Sequence, residues 1–166
     1  MRLKYWTIFG ALFLVAACTT ASEELASAGG QGAQARTSVT SQPQDTVRGG
    51  TQQDLVVNVG DRIFFDFDKF ELRSEARRTL ARQADWLRTN PDVTVTVEGH
   101  TDERGTREYN IALGERRAVA VKNFLIEQGI NATRITTISF GKERPVAVGS
   151  SEVSWSQNRR GVTTIN

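Results

Sequence analysis

The chain has very few of the residues that build disulfides and metal sites. Its 166 residues include one cysteine, Cys18, and one histidine, His100. A single cysteine excludes an internal disulfide framework, and a single histidine leaves a zinc site without its remaining nitrogen or sulfur ligands. An excess of one charge is also missing, because residues 54–166 contain 17 basic and 16 acidic side chains. That balance argues against a nucleic-acid groove, which needs clustered lysine and arginine.

A long hydrophobic run is missing as well. The apolar segment 5–17 follows Arg2 and Lys4, and at about thirteen residues it is too short for a permanent membrane span. Residues 1–17 are therefore predicted to be a signal peptide. The segment ends in Leu-Val-Ala-Ala-Cys, which resembles a bacterial lipobox in which Cys18 is lipidated and becomes the mature N-terminus. The alternative interpretation is an ordinary secretory signal with an incidental cysteine.

Residues 18–53 are predicted to form the lipidated N-terminus and a disordered tether. Serine, threonine, glutamine, glycine and alanine dominate this segment, and its large aliphatic residues are Leu25, Val39 and Val47. So little apolar surface cannot offset the entropy of ordering the chain. A flexible coil of about 35 residues has an r.m.s. span of about 30–35 Å. We therefore expect the tether to carry the folded part to a partner away from the membrane.

Residues 54–166 are predicted to form one α+β domain with the order β-α-β-α-β-β. The predicted strands cover residues 62–68, 93–98, 134–140 and 161–165, and residues 55–59 are also strand-like. The first helix is predicted to begin with Ser74 as its N-cap and to stop before Pro91; the second covers 107–128 and ends at Gly129. Residues 141–152 are predicted to be a polar loop. This order predicts a small four-stranded mixed sheet with two main helices packed on it.

One arginine of the second predicted helix lies on its apolar side. At 100° per residue, six apolar residues form one stripe: Ile111, Leu113, Ala118, Val121, Phe124 and Leu125. Arg117 falls inside this stripe, and burying a lone charge there would cost several kcal/mol. Asp102, at the end of the preceding strand, is the obvious partner. Two interpretations stay open: a structural Asp102–Arg117 salt bridge, or a pocket in which both residues bind a ligand of both charges.

Several motifs, in order along the chain, resemble the OmpA-C-terminal-like family. They are Phe-Asp-Phe-Asp-Lys-Phe at 65–70, Gly-His-Thr-Asp-Glu-Arg-Gly at 99–105, Tyr-Asn-Ile-Ala-Leu-Gly at 109–114, Arg-Arg-Ala at 116–118 and Asn-Arg-Arg at 158–160. The resemblance runs from about Val56 to the C-terminus. Within the family it is closest to the lipoproteins of the Tol–Pal system.

The resemblance implies an OmpA-C-like fold and an outer-membrane lipoprotein that faces the periplasm. Thr19, rather than an aspartate, follows the cysteine, which by the same analogy favours the outer membrane. The implied role links the outer membrane to peptidoglycan and supports envelope integrity and cell division. The implied partners are peptidoglycan, TolB and other Tol proteins. The loop 141–152 and the rim of the pocket are the surfaces that we expect TolB to contact.

The resemblance also implies a binding site for meso-diaminopimelate, whose free end in the stem peptide carries an ammonium and a carboxylate. By motif position, Asp102 would take the ammonium and Arg117 would hold the carboxylate as a two-pronged donor. The other implied contacts are Asp68, a second carboxylate, Arg104 from the loop, and Phe67 and Leu113 against the aliphatic part.

A second group of residues suggests different chemistry. Glu98, His100 and Asp102 alternate along one predicted strand, as in a metal or acid–base site, but local hydrogen bonding is the favoured role for His100. Two carboxylates can in principle hydrolyse a glycan, so a peptidoglycan-modifying hydrolase is the alternative function. We expect no catalytic residue, metal or cofactor. Residues 158–160 either cap the last strand or brace the pocket.

Overall fold

The structure is a computed structural model, and it describes residues 47–166. The predicted signal peptide, the predicted lipidation of Cys18 and most of the predicted tether lie outside the described residues. Within residues 47–166, no helix has the length and apolar character needed to cross a membrane.

A four-stranded mixed sheet forms one layer of the described domain. Its strands are β1 (Arg62–Phe64), β2 (Val95–His100), β3 (Ile135–Gly141) and β4 (Arg160–Ile165), in the spatial order β1-β4-β2-β3. In this sheet β2 and β3 pair in parallel, and the β1–β4 and β4–β2 pairs are antiparallel. The α-helices within residues 47–166 are α1 (Gln52–Asp54), α2 (Ser74–Thr89), α3 (Arg107–Glu127) and α4 (Glu152–Asn158). The predicted α+β fold with a small mixed sheet is confirmed.

The core lies between the sheet and the two long helices. Its buried members include Leu80 and Leu87 of α2, Val121 and Leu125 of α3, and Val97 of β2. Helix α3 approaches β2 so closely that a Cβ on Gly99 would lie 1.8 Å from the carbonyl oxygen of Gly114. This contact places the first turns of α3 directly beside the carboxyl end of β2.

Residues 55–59 form a π-helical turn after α1, so the predicted strand-like segment there is wrong. The Thr51 side chain caps α1 by accepting from the Asp54 backbone N–H, and Asn58 Nδ2 donates to Asp54 Oδ1 at 2.7 Å. These local side-chain hydrogen bonds stabilise a helical turn, which an apolar sequence pattern alone does not predict. Leu55 is buried, whereas the two valines after it are exposed.

Gln52, which the sequence pattern assigns to the tether, contacts the last strand. Its Nε2 donates to the Thr163 carbonyl at 3.3 Å, and its Oε1 accepts from the Ile165 backbone N–H at 2.8 Å. The first residue of α1 is therefore joined to β4 by two hydrogen bonds.

The strand predicted over 62–68 ends at Phe64. Lys69 N donates to Asp66 O at 3.2 Å and closes a turn there. Asp68 in this turn has a φ of 58°, the left-handed region that aspartate tolerates better than most residues. Asp68 is therefore presented by a turn and not by the end of a strand.

The helix ends differ from the sequence pattern at two places. Arg73, not Ser74, occupies the N-cap of α2, and Ser74 is the first helical residue. Helix α4 was not predicted, although Ser151 caps it by accepting from Ser154 N. Gly129 follows α3 with a φ of 89°, as the predicted end of that helix requires.

Gln83 connects α2 to the sheet, and its replacement by methionine is expected to destabilise the protein by about 1–3 kcal/mol. Gln83 is 1% exposed; its Nε2 donates to Gly60 O at 2.6 Å, and its Oε1 accepts from Thr163 Oγ1 at 2.9 Å. Gln83→Met leaves both partners without that bond. Chemical unfolding measures the loss, with Gln157→Met at an exposed helical position as the control. Equal stability of the two variants would contradict the prediction.

Candidate ligand-binding site

A cavity of about 190 Å³ opens beyond the carboxyl end of β2. This is smaller than the 300–1,000 Å³ typical of sites for drug-sized ligands, and it suits the end of an amino-acid side chain. All six residues that the family resemblance implies as contacts line it. Its lining is Phe67, Asp68, Thr101, Asp102, Arg104, Gly105, Tyr109, Asn110, Leu113, Arg117 and Arg159.

Arg117 is fully buried, at 0% exposure, and it is bound by backbone carbonyls and not by Asp102. Its Nε donates to Lys69 O at 2.8 Å, its Nη1 to His100 O at 2.8 Å and its Nη2 to Asp66 O at 3.1 Å. The interpretation of Asp102 and Arg117 as a structural salt bridge is therefore wrong. The carbonyls of the turn after β1 and of the end of β2 already accept three of its donors.

Arg117 keeps its positive charge at neutral pH. Burial lowers its pKa to about 10, while the negative charge of Asp102 acts in the opposite direction. A guanidinium carries five N–H donors, so two of them remain after the three carbonyl bonds. Because Arg117 also lines the cavity, its positive charge lies next to the space that a ligand would occupy.

Asp102 is buried and accepts hydrogen bonds from two other arginines. Arg104 donates through Nη2 at 2.5 Å to Oδ2, through Nε at 3.3 Å to Oδ1 and through its backbone N–H at 3.2 Å to Oδ1. Arg159 Nη1 donates at 3.3 Å to Oδ2. Burial acts to raise the pKa of Asp102, but these bonds outweigh it and the pKa lies below its usual value. Asp102 is therefore ionised at neutral pH.

Arg159 braces the cavity from the junction of α4 and β4. It is buried, and besides Asp102 it binds Glu152 Oε1 through Nη2 at 2.5 Å and Phe65 O through Nε at 3.1 Å. Its neighbour Asn158 instead accepts from Val146 N at 2.8 Å and so fixes the loop before α4. The two residues have different roles, and bracing the pocket is the role of Arg159.

Two further residues of the cavity, Tyr109 and Asn110, orient the other lining residues. Both belong to the family motifs, but neither is among the six predicted ligand contacts. Tyr109 donates its hydroxyl to the Asp68 carboxylate. Buried Asn110 donates through Nδ2 to Arg104 O at 2.8 Å and to Thr106 O at 2.9 Å, which holds the loop between β2 and α3. Both residues lie on the first turns of α3, where the close contact with β2 places them against the cavity.

The His100 side chain contacts Glu98 and Phe140 and makes no hydrogen bond with Asp102, so the suspected acid–base group of three does not assemble. Its Nε2 is 3.3 Å from Glu98 Oε2, and its ring stacks on Phe140 at 5.5 Å between centroids. Burial, followed by the positive charges of Arg160 and Arg144, lowers the pKa of His100 to about 3. Within residues 47–166, no group of three or more His, Cys, Asp or Glu side chains is placed to hold a metal ion.

Comparison with known proteins identifies the class. Residues 64–159 match the model of the OmpA family, and the chain belongs to that family. It is similar to the peptidoglycan-associated lipoprotein of Agrobacterium fabrum, with 60% identity over 116 residues that cover 70% of this chain and 66% of that protein. The corresponding protein of Brucella melitensis is 56% identical over 117 residues, which cover 70% of each chain.

A solved structure agrees with the sequence comparison. The crystal structure of the peptidoglycan-associated lipoprotein from Burkholderia pseudomallei superposes with a TM-score of 0.62 and 40% identity. The match covers 64% of this chain and 90% of that one. The family resemblance read from the motifs is thereby confirmed.

Proposed function

We propose that the protein is an outer-membrane lipoprotein that binds peptidoglycan non-covalently through the meso-diaminopimelate of the stem peptide. The observation that carries the proposal is one small cavity lined by both an ionised carboxylate, Asp102, and a buried guanidinium, Arg117. A ligand end with an ammonium and a carboxylate on one carbon complements this pair. The names of the relatives support the same assignment.

The cavity can hold such a ligand by a few charged contacts. Asp102 and Asp68 face the ammonium, Arg117 faces the carboxylate, and Phe67 and Leu113 line the path of the aliphatic chain. Hydrogen bonds to charged groups contribute about 1.5–3 kcal/mol each, and association has its own entropic cost. We therefore expect modest affinity at each site. Many anchored copies on one wall polymer would still hold the membrane firmly through avidity.

The anchoring part of the proposal concerns the N-terminal residues. Residues 1–17 would be removed as a signal peptide, Cys18 would carry the lipid, and the residues between Cys18 and α1 would tether the folded domain. A polymer bound to that domain then links the outer membrane to the wall from the periplasmic side. Mass spectrometry of the purified N-terminal peptide tests this, since an unmodified Cys18 would contradict it.

The proposed role is non-enzymatic. A glycoside hydrolase needs a carboxyl group that donates a proton near neutral pH. The pKa of Asp102 is instead lowered, with Arg104 Nε donating to Oδ1 and Arg104 Nη2 and Arg159 Nη1 donating to Oδ2. Glu98, the second carboxylate of the hydrolase alternative, lies 3.3 Å from His100 Nε2. This arrangement favours binding over hydrolysis.

Incubation of the protein with purified peptidoglycan tests the proposal. We expect the protein to sediment with the polymer, free meso-diaminopimelate to compete, and no soluble fragments to appear. Released muropeptides would favour the hydrolase. Sedimentation that free meso-diaminopimelate does not reduce would contradict the proposed ligand.

The proposal extends to the Tol–Pal system, with TolB and other Tol proteins as partners and a role in envelope integrity and cell division. The loop 141–152 is the proposed contact surface, together with the rim of the cavity. Val148 in this loop is almost fully exposed, so it is accessible to a partner. Pull-down of TolB by the wild type and by Val148→Asp tests this surface; equal capture would contradict it.

A further inference from the structure

Asp102 has no free acceptor position in the structure. A carboxylate offers about four lone-pair sites. Three of them accept from Arg104, through its backbone N–H, Nε and Nη2, and the fourth accepts from Arg159 Nη1. A ligand ammonium can therefore bind Asp102 only after one of these donors has left.

The two arginines differ in how firmly they are held. Arg159 is buried and also binds Glu152 and the Phe65 carbonyl, so its withdrawal would break three separate interactions. The Arg104 side chain is 31% exposed, and among the described residues its only ion pair is with Asp102. The guanidinium of Arg104 can turn into solvent without leaving a buried charge unpaired.

The remaining contacts of the Arg104 side chain are aromatic. Its guanidinium carbon lies 3.9 Å from the ring centroid of Phe67 and 4.0 Å from that of Trp155. Phe67 is 55% exposed, so this side of the stack is open to solvent. Cation–π contacts at exposed sites contribute little compared with desolvated ones. The aromatic pair therefore orients Arg104 over Asp102 without fixing it there.

We infer that Arg104 occupies the place of the ligand's ammonium in the free protein and withdraws from Asp102 when the ligand binds. The inference rests on the proposed function. Both groups are cations that compete for one carboxylate, so the apparent affinity falls by the fraction of molecules in which Arg104 is withdrawn. Arg104 thus acts as an internal competitor that sets the affinity of the site for the ligand. This role differs from the direct ligand contact that the family resemblance implies for Arg104.

The variant Arg104→Gln separates these two roles. Glutamine has a shorter uncharged side chain, so it competes weakly for Asp102. If Arg104 covers Asp102 in about nine-tenths of the free molecules, the variant binds meso-diaminopimelate about tenfold more tightly than the wild type. Isothermal titration calorimetry on the full-length protein in detergent measures this. The control is Arg107→Gln, which removes the same charge from a residue that is paired with Glu143 outside the cavity.

Pimelate, which has the same carboxylates but no amino group, is the second probe. It does not need Asp102, so Arg104→Gln is not expected to strengthen its binding. Unchanged or weaker binding of meso-diaminopimelate by Arg104→Gln would overturn the inference, and so would an equal gain for pimelate. If neither the wild type nor the variant bound meso-diaminopimelate, the proposed function would fail together with the inference.

A measurement on the wild type does not depend on how the variant folds. The Arg104 Nε–H and Trp155 Nε1–H groups can be followed by NMR during a titration. Withdrawal of Arg104 is expected to shift both resonances at saturation with meso-diaminopimelate and neither with pimelate. An Arg104 Nε–H signal that is unchanged at saturation with meso-diaminopimelate would overturn the inference.

Discussion

Asp102→Asn is expected to weaken the binding of meso-diaminopimelate about ten- to a hundredfold and to abolish sedimentation with peptidoglycan. The change removes the buried negative charge that would face the ligand's ammonium. A hydrogen bond to a charged group contributes about 1.5–3 kcal/mol, and each 1.4 kcal/mol is about a factor of ten in affinity. Titration calorimetry with the free amino acid measures the loss at a single site. Sedimentation with the polymer measures it when many sites act together.

The control for Asp102→Asn is Asp85→Asn, which removes the same charge from an exposed residue of α2. Asparagine at 102 can still accept one bond from Arg159, so we expect the fold to survive with reduced stability. Both proteins are compared at a temperature where far-UV circular dichroism shows them folded. Binding of meso-diaminopimelate by folded Asp102→Asn at wild-type affinity would rule out Asp102 as the ammonium site.

The sequence predicted the location of the cavity better than its internal contacts. Arg117 was recognised because it interrupts an apolar stripe, and Asp102 because it ends the preceding strand; both line the cavity. The interpretation that Arg117 and Asp102 form a salt bridge was wrong, because a helical projection predicts which side chains are buried and not which groups they bind. The actual partners of Arg117 are the backbone carbonyls of Asp66, Lys69 and His100, and carbonyls have no signature in a side-chain pattern.

Short local structure was the other source of error. Residues 55–59 are rich in valine and were predicted to be strand-like, but side chains around Asp54 provide the hydrogen bonds of a helical turn. Helix α4 has seven residues, too few for an apolar period to emerge. The sequence does not decide the role of Arg159 for the same reason, since its contact with Asp102 depends on the position of that helix. The remaining sequence signal for α4 is Ser151 at its N-cap, and one N-cap residue alone predicts a helix only weakly.

Arg117→Lys is expected to destabilise the protein by about 3–5 kcal/mol while keeping the positive charge. The planar guanidinium donates in three directions to three carbonyls that belong to two separate chain segments. A lysine ammonium is a single point and cannot reproduce this fork. The turn that presents Asp68 and the end of β2 would lose their common link. Equilibrium unfolding in urea measures the change in the free energy of unfolding.

Arg116→Lys is the matched control, because it makes the same substitution one position earlier at an exposed site. Equal stability of the two variants would contradict a structural role for Arg117. The stability of an Arg117 variant must therefore be measured before its ligand binding is interpreted. Because Arg117 joins the turn after β1 to the end of β2, its loss disturbs the cavity whether or not it touches a ligand. Weak binding by an Arg117 variant therefore identifies a ligand contact only if the turn that holds Asp68 keeps its native conformation. Asp102→Asn tests a ligand contact more directly.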